Sequence, residues 1–265
     1  MADFFIQSNE RDQHLPSGYK ILLPSVSVGN VPQLTLDLII NSLHAKLSGW
    51  FQDDSILPVI GNKPFNHSSP STLTTPAELY ISHANKLMIV QLRSPIAKGK
   101  SNKFINRLVE WLEAQRPSAV ILLASLYAEE RMDVHIQSSP FRFLLNENSV
   151  HLFTHFSSAL NWQPMEPRNT ENKAASPDGV LEIEQIFLPG SGFAKQMYKK
   201  SASLPLVTIA VFSSQGNNCP DAINMADHID QWLNLKGNEE GERNGWSLPA
   251  SWSSVYGGPS PKSLY

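Results

Sequence analysis

One cysteine, Cys219, is all that the 265 residues contain. No intramolecular disulfide can form, and Pro220 behind it gives none of the spacing of a zinc or redox motif. No run of Lys or Arg exceeds the pair Lys199 and Lys200, and the net charge is −3, so the concentrated basic face that binds a phosphate backbone is missing. No nucleic-acid partner is expected. No segment approaches the roughly 18 consecutive apolar residues of a membrane span, and residues 1–10 lack the basic start and apolar run of a secretory signal. These absences predict a soluble protein of a reducing, intracellular compartment, in which the sequon at Asn66, His67 and Ser68 goes unused.

The usual catalytic signatures are also missing. There is no G-x-S-x-G elbow for a nucleophilic serine, and Cys219 has no catalytic context. His151 and His155 stand at i, i+4, a spacing that suits two metal ligands on one helical face, but Leu152, Phe153 and Thr154 between them exclude the zincin glutamate and no third ligand is signposted. Glu129, Glu130 and Asp133 follow an apolar strand, where open α/β sheets often place their sites, yet Arg131 beside them reads as ordinary solvated charge. Gly190, Ser191 and Gly192 precede a helix and resemble part of a phosphate-cradling loop without its third glycine or its Lys-Ser/Thr pair. No metal or cofactor is expected. An α/β nucleotide- or phosphate-binding enzyme using the Gly190 turn stands as the second reading.

What is present is an alternation of strands and helices. Apolar runs predict strands at 19–23, 56–60, 77–82, 87–92, 119–124, 180–188 and 206–212, with a hairpin turning near Asn85. The run at 119–124 is unbroken, as a central strand covered on both faces requires. Helical spacing predicts helices from Asn30, with Pro32 in the first turn, through Ser48, then over 102–115, 149–161 and from the Gly190 turn through Tyr198. A final amphipathic helix opens at 218–221 and carries Ile223, Ala226, Ile229, Trp232 and Leu233. The pattern predicts a three-layer α/β sandwich with a mostly parallel central sheet flanked by helices and an antiparallel hairpin inserted. Residues 1–236 read as one domain and residues 237–265 as an extended C-terminal tail.

That tail places Trp246, Trp252, Tyr256 and Tyr265 among Ser, Gly and Pro. Gly257, Gly258, Pro259 and Pro261 forbid a helix, and the segment 257–265 spans about 28 Å at ~3.1 Å per residue in an extended, polyproline-like form. Trp246 and Trp252 either fold back on the body or stay free with the rest. The tip, Lys262, Ser263, Leu264 and Tyr265, combines an apolar residue, a ring and a carboxylate, a set used in terminal-peptide recognition.

Four blocks taken in order resemble the proteasome assembly chaperone 2 family. They are Pro24, Ser25, Val26, Ser27, Val28, Gly29, Asn30 and Val31 with Leu36, Asp37, Leu38, Ile39 and Ile40; Ser139, Pro140, Phe141 and Arg142 with Leu144 and Leu145; Leu188, Pro189, Gly190, Ser191 and Gly192; and Phe212, Gly216, Asn217, Pro220, Asp221 and Ala222 through Trp232 and Leu233. The spacing holds from about Leu22 onward. The resemblance implies a non-catalytic chaperone of the cytoplasm and nucleus that pairs with proteasome assembly chaperone 1. It further implies binding to alpha subunits of the 20S proteasome, support of alpha-ring formation and prevention of off-pathway ring dimers. Family tails enter pockets between alpha subunits through a hydrophobic residue, a tyrosine and one final residue. Here Tyr265 comes last and Leu264 stands where that tyrosine would be, so the ring is displaced by one position. The exposed sides of the helices at 31–48 and 221–235 are candidates for the heterodimer surface.

Overall fold

The computed structural model describes residues 3–8, 15–65, 73–167, 179–236 and 245–254. Strands β1 (Phe5–Gln7) and β2 (Lys20–Pro24) lead into helix α1 (Val31–Ser42), followed by β3 (Lys46–Phe51), the short pair β4 (Gly61–Asn62) and β5 (Leu73–Thr74), and the hairpin β6 (Ala77–Ser82) and β7 (Leu87–Leu92). Helix α2 (Ser101–Ala114) then precedes β8 (Ala119–Tyr127), α3 (Asp133–Ile136), β9 (Phe141–Leu145), α4 (His155–Ser158), α5 (Ala194–Lys200), β10 (Leu206–Ser213) and α6 (Cys219–Leu233).

Eight strands form one sheet in the order β1-β3-β6-β7-β2-β8-β10-β9. It is parallel from β7 through β2 and β8 to β10, and antiparallel on both flanks. Two buried clusters sandwich it. Ile21, Leu23, Val120, Leu122 and Ala124 face α2 and α5, while Leu22, Ile121, Leu123 and Ile209 face α1 and α6. The unbroken apolar run of β8 thus has the two-sided burial its composition requires.

Several elements depart from the sequence expectation. The first helix ends at Ser42, where His44 adopts a left-handed φ of 48°. The N–H groups of His44 and Ala45 then bond back to Asn41 and Ile40, a Schellman closure. Residues 46–48, expected as the end of that helix, instead open β3, which pairs with β6. Residues 56–60 make one isolated bridge, Ile56 to Ile96, and residues 180–188 another, Val180 to Leu145. Residues 149–161 split into a 3-10 turn, Glu147–Leu152, and the four-residue α4. β1, β3 and β9 widen the antiparallel share beyond a single hairpin.

Helix α1 is buried nearly all round, from Val31 to Asn41 with Leu34 half-buried. Its buried Asp37 is partnered: it receives both terminal nitrogens of Arg93 at 2.7 and 2.8 Å and the Gln91 amide at 2.8 Å. Burial opposes the charge on Arg93, but Asp37 outweighs it and raises the guanidinium pKa. The candidate heterodimer surface on this helix has no exposed side, because α6 and residues 246–252 close over it.

Candidate functional site

The carboxyl ends of parallel strands in an open α/β sheet are where such folds take ligands. Here three turns fill that crevice. After β2, Ser25 accepts the Phe193 N–H at 3.0 Å and donates to the Ser191 carbonyl. Ser27 accepts the Ser125 N–H at 3.0 Å, and Ser125 donates to the Val28 carbonyl. Val28 N–H donates to the Gly190 carbonyl at 3.0 Å, and Asn218 donates to the Gly29 carbonyl at 2.9 Å.

The glycines are required by this closeness. A Cβ on Gly29 would stand 2.2 Å from Asn218 Nδ2, and one on Gly192 would stand 2.1 Å from the Val26 carbonyl oxygen, with both residues at positive φ. The N–H groups of Ser191, Phe193 and Ala194 are used on Leu188, Ser25 and Ser191. The Gly190 turn therefore packs against the β2 turn instead of presenting these donors to a phosphate. His151 and His155 lie in separate short helices, and no three His, Cys, Asp or Glu side chains converge as metal ligands among the described residues.

Beyond β8, residues 127–136 carry Glu129, Glu130 and Asp133. All three are exposed, and none forms an ion pair among the described residues. Met132, Val134 and Ile136, which sequence reading passed over, are exposed at 44, 47 and 63 %. His135 between them points inward. Its Nδ1 accepts the Met132 N–H at 3.1 Å, which places the ring proton on Nε2, and Nε2 meets Glu166 at 2.7 Å. Glu166 also binds Nε of Arg142, a guanidinium buried to 1 % exposure whose other nitrogens donate to Ser138, Ser139 and Phe141. Burial opposes the charge on Glu166, yet hydrogen bonds from Arg142 and His135 outweigh it and hold the carboxyl below the usual range. The alternation of Met132, Val134 and Ile136 was the available sequence signal. It says that one side is apolar, not which way that side faces.

Residues 245–254 lie back against the body. Trp246 Nε1 donates to Asp227 at 2.8 Å, with the Lys236 ammonium 5.0 Å from its ring centroid. Asn41 donates to the Ser247 carbonyl at 2.8 Å, the Ser247 N–H donates to Ser42 at 2.9 Å, and the Ser251 N–H donates to the Pro64 carbonyl at 3.2 Å. Trp252, with Cys219, Pro220, Ile223 and Leu248, lines a cavity of about 570 Å³ beside the start of α6. Lys262, Ser263, Leu264 and Tyr265 lie outside the described residues.

Comparison with known proteins agrees with this architecture. The sequence matches the PAC2 family over residues 21–184. It is 34 % identical over 260 residues to proteasome assembly chaperone 2 of Xenopus tropicalis, covering 96 % of this chain and 97 % of that one. It is 32 % identical over 257 residues to proteasome assembly chaperone 2 of Homo sapiens, covering 94 % and 96 %. Among solved structures, PbaA of Pyrococcus furiosus, described as an archaeal homolog of proteasome-assembly chaperone, shares the fold at a TM-score of 0.57 and 14 % identity, over 90 % of this chain and 84 % of its own. PbaB of the same organism, described as an archaeal proteasome activator, shares it at 0.55 and 12 %, over 87 % and 88 %. The family match over residues 21–184 and the identity of 32 to 34 % with these relatives over nearly the whole length of both chains make this chain a member of the PAC2 family.

Proposed function

We propose that this chain is a non-enzymatic chaperone of 20S proteasome assembly. It pairs with proteasome assembly chaperone 1, binds alpha subunits, supports alpha-ring formation and prevents off-pathway ring dimers, in the cytoplasm and nucleus. The observation that carries this reading is the similarity to relatives named proteasome assembly chaperone 2 over nearly the whole length of both chains. The filled crevice at the carboxyl ends of the parallel strands supports a role by surface contact over one by chemistry on a small ligand. The nucleotide reading is not favoured, since the turn that suggested it uses the N–H groups of Ser191, Phe193 and Ala194 within the fold.

In this proposal residues 1–236 are the body and residues 237–265 the tail, of which 246–252 lie against α1 and α6. Lys262, Ser263, Leu264 and Tyr265 enter a pocket between alpha subunits. Ordering an extended peptide costs roughly 1 to 2 kcal/mol per residue, so this contact acts together with one from the body. Deleting residues 263–265 should weaken alpha-subunit binding in a pull-down and leave pairing with assembly chaperone 1 intact. Unchanged alpha-subunit binding would remove the tip from the account.

A further inference from the structure

We infer that residues 127–136 form a docking knob for a folded protein partner whose contact surface is an apolar depression rimmed by Lys or Arg. The inference rests on the assembly reading above and adds a second contact, on the body. Its first support is inverted polarity. An amphipathic segment at a surface ordinarily turns its apolar side chains toward the core and its polar ones outward. Here Tyr127, Met132, Val134 and Ile136 face solvent while His135 is buried.

The inversion is held in place. His135 is tied to Glu166 at 2.7 Å and lies against the Phe212 ring at 4.5 Å between centroids. Arg142 fixes the bend between α3 and β9 through Ser138 Oγ at 2.9 Å and the Ser139 carbonyl at 2.6 Å, and the Tyr127 N–H is bound by the Pro189 carbonyl at 3.1 Å. Apolar side chains held outward by a buried ion pair lose little freedom on docking, which favours association.

Charge identifies the partner's rim. Glu129, Glu130 and Asp133 stand unpaired among the described residues against one cation, Arg131, whose Nε donates to its own Ala128 carbonyl at 3.1 Å. An anionic membrane or a nucleic acid would be repelled, and a second copy of the chain would set acid against acid. A protein surface with a basic rim is complementary.

The test uses the purified full-length chain and two variants, V134S/I136S and E129Q/E130Q/D133N. Binding to purified assembly chaperone 1 and to purified 20S alpha subunits is measured at low and physiological salt, with circular dichroism melting as the folding control. In V134S/I136S at least one of the two interactions should weaken roughly tenfold or more, because central apolar contacts dominate such interfaces. In the neutralised variant that same interaction should lose on-rate and most of its salt dependence. Wild-type binding that both folded variants retain overturns this inference alone. A wild-type chain that binds neither protein overturns the assembly reading and the inference with it. Self-association lost in V134S/I136S, with both partners still bound, overturns the stated partner.

Discussion

Three residues carry consequences that can be measured singly. His228 is stacked between Phe141 and Trp162, with ring centroids at 4.3 and 4.0 Å, and burial pushes its pKa down to about 4. An unfolded chain takes up this proton near pH 6.5, whereas the folded chain does not until about pH 4. The unfolded state therefore binds more protons across that window, and stability falls as the pH drops through it. The limiting loss is about 3 kcal/mol. His228→Phe keeps the stacking and should flatten the decline of urea midpoints between pH 6.5 and 4; an unchanged slope would place the acid sensitivity elsewhere. Glu166→Gln leaves the Arg142 guanidinium buried without its counter-charge and should cost about 3 to 5 kcal/mol. Replacing Arg142 by Met as well should recover much of that loss in the same unfolding assay. Gly192→Ala combines a positive φ with a Cβ 2.1 Å from the Val26 oxygen, and it should cost roughly 2 kcal/mol or more.

At the scale of elements, the C-terminal segment divides into parts with different physical roles. Residues 246–252 cover α1 and α6, so a chain ending at residue 244 should lose contacts of two tryptophans and melt about 5 °C or more below the full chain. A chain ending at residue 254 keeps all of those contacts and should melt with the full chain in differential scanning calorimetry. Only the second truncation therefore tests docking without also testing folding. The sequence made the central elements legible. β6, β7 and the run 119–124 inside β8 stand where their apolar composition places them, because two-sided burial leaves a continuous signal. It misled where local spacing and tertiary pairing compete. Leu43 and Leu47 continue a helical period, yet the left-handed turn at His44 sends residues 46–51 into the sheet. Within the candidate site, the Gly190 turn was legible as a strand-to-helix turn, but its use was not. Its partners Ser25 and Val28 are more than 160 residues away, and only the folded chain brings them together. The outward set of Met132, Val134 and Ile136 was equally hidden, because the direction of an amphipathic turn depends on what lies beneath it, here Glu166 and Arg142.

At the scale of the whole molecule, the chain places its hydrophobic strength in a two-sided core and uses its crevice for packing. Membership of the PAC2 family and near full-length similarity to assembly chaperones support the proposed role of its surface in holding other subunits. In the proposed account such holding uses more than one contact, because ordering a peptide at roughly 1 to 2 kcal/mol per residue leaves the tip alone a weak binder. A tail at one place and a knob on the body at another would meet that need. The most direct measurement is co-expression of this chain with proteasome assembly chaperone 1 and the 20S alpha subunits, followed by size-exclusion chromatography with mass spectrometry of each peak. A one-to-one complex with assembly chaperone 1 that also carries alpha subunits is the predicted result. Elution of this chain alone, with neither protein in its peak, would contradict the account.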